Sequence, residues 1–177
     1  MYIYAEVFEM PVKVRKATTE DVPAITEIFN QGIEAGVATL ETRIQKESDI
    51  MSWMENRDPR YMVLVAEDDA TGDVCGYVSL NKFNFKSAYT GVADLSIYIG
   101  KNCRGQGIGH ILLENLAEEA KKEGFYKLVL NVISKNTKAL KFYEGLGYSL
   151  VGVYKDQGIL NGEWVDAIIM EKFLIEK

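Results

Sequence analysis

The segment Lys101-Asn102-Cys103-Arg104-Gly105-Gln106-Gly107-Ile108-Gly109 constrains this chain more than any other. It separates a strand-like run over 92–99 from Ile108, Ile111, Leu112, Leu116 and Ala120, an apolar stripe at helical spacing that stops at Gly124. A backbone that wraps an anion needs residues without Cβ, and a helix N-terminus directly behind it supplies unpaired N–H groups and a positive dipole end. Strand, glycine loop and helix meet both demands, so the implied ligand is a phosphate or pyrophosphate. The two common nucleotide fingerprints do not fit. G-x-G-x-x-G fails because Leu112 or His110 stands at the third glycine, and G-x-x-x-x-G-K-[ST] fails because no lysine follows Gly109.

Around this unit the hydrophobic periodicity lays out an α/β chain. Val12 and Val14 alternate with Lys13 and Arg15 as in a short strand, and Val22, Ile25, Phe29 and Ile33 follow at helical spacing after the acids Glu20 and Asp21. A second helix is expected over 47–56, with strands over 61–67 and 74–81 before the one at 92–99. Beyond the loop helix come a strand over 127–133, a helix over 137–146 and a strand over 148–153. The pair Asn161-Gly162 predicts a tight hairpin into a last strand over 164–171. The order is β-α-α-β-β-β-α-β-α-β-β around a mixed central sheet flanked by helices.

Size and charge bound the rest. At 177 residues the chain suits one domain, here 12–177, with 1–11 as an N-terminal extension. Twenty basic residues against 26 acidic ones leave a net charge of −6, which argues against nucleic acid or an anionic membrane as the main partner. No apolar run approaches the roughly 20 residues of a membrane span. Two cysteines form no disulfide framework, and the N-terminus lacks the basic-then-apolar order of a leader, so the expected compartment is the cytoplasm. One histidine and two distant cysteines cannot build a metal site.

The R-x-x-G-x-G pattern of Arg104, Gly107 and Gly109 resembles the acetyl-CoA pyrophosphate loop of the GNAT N-acetyltransferase superfamily. The resemblance runs from Val12 to about Leu174. Asn136-Thr137-Lys138-Ala139-Leu140-Lys141-Phe142-Tyr143 with Gly147-Tyr148 is similar to the family's second cofactor segment. Lys86-Ser87-Ala88-Tyr89, Ala93-Asp94-Leu95-Ser96-Ile97-Tyr98-Ile99 and Asn161-Gly162-Glu163-Trp164-Val165-Asp166 resemble the phosphinothricin N-acetyltransferase branch, as does Thr39-Leu40-Glu41-Thr42. The fold implied is the GNAT acyl-CoA N-acyltransferase fold. The activity implied is acetyl transfer from acetyl-CoA, without a metal, to the amine of a small amino-acid-like compound of phosphinothricin or methionine sulfone type. Polyamine, aminoglycoside or protein N-terminal amines, or a non-catalytic CoA-binding module, stand as alternatives. A homodimer is the expected assembly.

The resemblance also assigns residues. Arg104, Gly105, Gln106, Gly107, Ile108, Gly109 and His110 would cradle the pyrophosphate, Ile97, Tyr98 and Ile99 would turn backbone N–H groups to the pantetheine arm, and Asn136 would contact the cofactor. Asp94 stands where the branch carries a glutamate proposed as general base; its other readings are electrostatic binding of the ammonium or a bond to a backbone N–H. Tyr143 is the candidate acid for the departing thiolate, or, at its spacing from Leu140 and Ala139, a core residue. Glu41, Lys86 and Tyr89 are the candidate substrate contacts, Lys86 in place of a frequent arginine. Val165 replaces a common histidine.

Overall fold

The chain, seen in a computed structural model, is described over residues 11–176. Of the extension expected over 1–11, only Pro11 falls within the described residues. The elements are β1 (Val12–Lys16), α1 (Val22–Glu34), α2 (Glu47–Glu55), β2 (Val63–Asp68), β3 (Val74–Lys82), β4 (Val92–Ile99), α3 (Ile108–Lys122), β5 (Lys127–Ile133), α4 (Thr137–Gly145), β6 (Ser149–Leu160) and β7 (Glu163–Phe173). This is the GNAT order expected from the sequence.

One buried acid starts α1. Asp21 accepts two 2.8 Å bonds from the Arg15 guanidinium and a 2.7 Å bond from the Thr18 N–H, and Arg15 reaches on to Glu67 of β2 at 2.6 Å. Burial alone would raise the Asp21 pKa, but these donors hold it below the usual carboxylate range. The chain entering α1 is thereby fixed to the first two strands.

The seven strands lie in the order β1-β2-β3-β4-β5-β7-β6, antiparallel throughout except where β4 meets β5. Side chains alternate between the two faces. Val78, Leu80, Ala93 and Leu95 pack with Leu112 and Leu116 of α3, whereas Val63, Val65 and Tyr77 pack with Ile25 and Ile28 of α1. Along β4, therefore, Leu95, Ile97 and Ile99 belong to the α3 face, and Asp94, Ser96 and Tyr98 to the face under α1 and α2.

The feature that makes room for chemistry is the single parallel junction. β4 and β5 pair only at Val92 with Lys127, Ala93 with Leu128 and Asp94 with Val129, although both strands run on to Ile99 and Ile133. The sheet splits from that point. The β6–β7 hairpin turns at Asn161 (φ 52°) and Gly162 (φ 81°), the two positive φ values that an Asn-Gly turn supplies. Among the described residues no helix is long and apolar enough to cross a membrane.

Candidate active site

A cleft of about 820 Å³ occupies the split, with Ile97, Tyr98 and Ile99 on one wall and Asn131, Val132 and Ile133 on the other. Gly100 N–H donates to Cys75 O at 2.9 Å, continuing the β3–β4 register. By ladder alternation the amide of Tyr98 also faces β3, and those of Ile97 and Ile99 face the gap. The structure thus corrects one expectation: Tyr98 meets the cleft with its ring and not with its N–H. That ring sits edge-on to Phe29 at 5.0 Å and stacks on Tyr77 at 5.5 Å, and a Cβ on Gly32 of α1 would stand 2.9 Å from it.

The glycine loop closes the mouth of the cleft. Gly105 (φ 77°) and Gly107 (φ 79°) hold the left-handed conformation, and Gly107 caps α3. Gly109 is needed for a different reason: a Cβ there would lie 3.0 Å from the Phe142 ring of α4. Arg104 Nε donates to Ile99 O at 3.0 Å and Gln106 to Asn102 O at 3.0 Å, so both side chains brace the loop. The amides of Ile108 and Gly109 precede the helical ladder and remain for an anion. The His110 N–H, expected to face it too, closes onto Gly107 O at 3.0 Å, and its imidazole pairs with Glu114 at 2.9 Å.

Asn136 also has a role that the sequence does not suggest. Its side-chain oxygen accepts from Ala139 N–H at 3.2 Å, capping α4, and its amide donates to Val37 O at 3.1 Å. Lining the cleft, it ties the segment 36–46 over one side of it. Leu40 of that segment rests on Gly158 of β6, where a Cβ would come within 2.9 Å.

Asp94 and Tyr143 carry the titratable chemistry. Burial pushes the Asp94 carboxyl up to about 6, against the opposing hydrogen bond from Asn81, its register partner on β3. Tyr143 lines the cleft from α4, 8% exposed, and burial followed by the neighbouring Tyr148, Tyr98 and Asp94 pushes its phenol well above the ordinary value. At neutral pH the carboxylate can take a proton and the phenol can give one. The two act on each other electrostatically, while Asp94 itself lies outside the cleft wall, between Asn81 and Ser96. Those two residues floor a second cavity of about 240 Å³ under α1 and α2, walled by Phe29, Trp53, Tyr77 and Tyr98. Tyr98 borders both cavities.

The three expected substrate contacts are not gathered here. Glu41 is exposed and turns one carboxylate oxygen back to accept from Thr42 N–H at 2.9 Å and Arg43 N–H at 2.8 Å. Lys86 and Tyr89 stand exposed on the β3–β4 connection, where Tyr89 packs on Phe83 at 5.4 Å. Neither cavity is lined by any of the three. Val165 is buried with Ile133 and Leu160, a small core near the turn end of the hairpin. Asn131 and Asn81 carry no signal in the sequence, because a polar residue within a strand reads as its solvent face.

With this geometry in place, the comparisons with known proteins are decisive for the class. The profile of the Acetyltransferase (GNAT) family matches residues 23–148, from α1 through the glycine loop to the Tyr148 that follows α4, and the chain belongs to that family of acetyl-CoA-dependent N-acetyltransferases. A phosphinothricin N-acetyltransferase of Alcaligenes faecalis is 30% identical over 161 residues, covering 90% of this chain and 81% of its own. An L-methionine sulfoximine/L-methionine sulfone acetyltransferase of Pseudomonas aeruginosa is 28% identical, covering 92% and 94%. The crystal structure of a phosphinothricin acetyltransferase from Sinorhizobium meliloti in complex with acetyl-CoA aligns with a TM-score of 0.86 at 29% identity, covering 93% of this chain and 89% of that one.

Proposed function

We propose that the chain acetylates the α-amine of a small amino-acid-like compound of the methionine sulfone, methionine sulfoximine or phosphinothricin type. The observation that carries this reading is the split between β4 and β5, which opens backbone amides beside a buried phenol and just beyond the Asp94 carboxyl, poised near neutrality at the last paired position of β4. Named activities of the similar proteins from A. faecalis and P. aeruginosa support the substrate class.

The residues fit acetyl-CoA. The strand edge at Ile97 and Ile99 suits an extended amide-bearing arm, and Arg104, Gly105, Gln106, Gly107, Ile108 and Gly109 form the cradle for its pyrophosphate. Acetyl-CoA supplies the activated acetyl thioester. Asp94 would remove the proton from the bound ammonium, directly or through one water, so that a neutral amine attacks; as the N–C bond forms and the C–S bond breaks, Tyr143 would give its phenolic proton to the departing thiolate and the resulting phenolate would take back the proton that the amide nitrogen sheds. The ladder amide of Ile97 or Ile99 would polarise the thioester carbonyl. Asn136 shapes the cleft through Val37.

We carry a homodimer into the same reading. Its support is the outer strand β6 and its hairpin partner, where Val151, Tyr154, Ile159 and Trp164 are all more than half exposed. Light scattering is expected to give about twice 19.9 kDa. The substrate reading is tested by incubating the protein with acetyl-CoA and methionine sulfone, phosphinothricin, spermidine or an aminoglycoside, and weighing the products. Acetylation of the first two above the others supports it; acetylation of the polycations alone overturns it.

A further inference from the structure

Just beyond α2, Arg57 carries a half-buried guanidinium that forms no salt bridge among the described residues. It is held instead by neutral groups: Nε donates to Tyr61 O at 3.0 Å, one terminal nitrogen to Leu80 O, the other to Asn81 Oδ1 at 3.3 Å, and Cζ lies 4.3 Å from the centroid of the Trp53 ring. Burial lowers its pKa to about 10, which leaves it charged at neutral pH.

A guanidinium can only donate, so it meets Asn81 at the carbonyl oxygen and fixes which way the amide is turned. The Asn81 NH2 then faces the other side, within 3.3 Å of Ser96 Oγ and 3.5 Å of Ser79 Oγ, with the Asp94 carboxyl directly opposite on β4 and lowered in pKa by it. We propose that Arg57 and Asn81 form a positioning pair for Asp94: the guanidinium locks the amide, and the amide N–H holds the carboxylate in its charged, proton-accepting form. The inference rests on Asp94 as the general base of the proposed reaction. Among the described residues, the other groups acting on Asp94 or the pair are Tyr98 on its own strand, Tyr143 on α4, and Tyr77, which faces Arg57 from β3. All three are phenols whose burial keeps them neutral, so Arg57 is the charge behind the network.

The pair predicts that Asn81→Asp, which withdraws the donor and sets a like charge beside Asp94, moves the Asp94 titration and the acid limb of kcat/KM up by about one pH unit. Asn81→Ser and Arg57→Lys, which loosen the amide contact without adding charge, move both by about half a unit. The KM for acetyl-CoA stays at the wild-type value in all three, because the pair lies outside the cofactor cleft. Carbon-13 NMR of the Asp94 carboxyl reads the shift without any turnover. If no amine is acetylated the proposed function falls, and the NMR titration still decides on the pair. An Asp94 titration within about 0.2 unit of wild type in Asn81→Asp, or in Asn81→Ser where the first variant does not fold, overturns the inference.

Discussion

At Asp94 two demands conflict, since the carboxylate proposed to take the amine's proton at neutral pH is also a charge held away from water. Its folded pKa of about 6 lies above the ordinary 3.8. Between those values the native state keeps a proton that the unfolded chain has lost, so the contribution of Asp94 to stability falls as pH rises from about 4 to 6 and stays unfavourable above that. Asp94→Asn is therefore expected to lower kcat roughly 10²-fold while raising unfolding free energy at pH 7 by roughly 1–2 kcal/mol. Urea melts at pH 7 and pH 4 check the second half, the gain being small at the lower pH. Tyr143→Phe keeps the ring contacts with Phe142 and Tyr148 and removes only the proton donor. Steady-state kinetics should show a fall of roughly 10²-fold in kcat with little change in acetyl-CoA KM. Asp94 and Tyr143 stand out as candidates in the sequence through their motifs. Asn81 and Arg57 do not, because an asparagine in a strand and an arginine after a helix carry no periodic signal, and only the register of β3 against β4 brings them to the carboxyl.

Among the elements, the strands and helices followed from periodicity, and β4 and β5 occur over the residues expected. What periodicity could not give is where two strands stop pairing. The split after Asp94 and Val129 depends on how β4 and β5 diverge on either side of α3, a non-local property. β6 shows the opposite error: the strand expected over 148–153 runs as Ser149–Leu160. The extra length carries a register shift between Tyr154 and Gly158, with Asp156 at φ 49° and Asp166 bonding Lys155 at 2.7 Å and the Asp156 N–H at 2.9 Å. The glycines of the loop separate two physical roles. Gly107→Ala places a Cβ in the left-handed region, costing about 1 kcal/mol and raising acetyl-CoA KM with kcat nearly kept. Gly109→Leu pushes on Phe142, next to Tyr143, so kcat should fall as well. Parallel measurement of kcat and KM in both variants distinguishes the two.

For the whole molecule, a net charge of −6 disfavours an anionic ligand, and the fold removes the conflict by offering backbone amides and a helix end where side-chain cations are few. The acceptor side was the least legible, because Glu41, Lys86 and Tyr89 lie on connections whose placement no local pattern dictates. The proposed reaction makes one demand on the whole arrangement: Asp94, the last paired residue of β4 before the sheet splits, has to activate the amine. The most direct measurement is the pH profile of kcat/KM for methionine sulfone, compared between wild type and Asp94→Asn. The profile predicted for wild type breaks near pH 6, where Asp94 titrates, and the break disappears in Asp94→Asn. An identical break in both proteins would contradict the account.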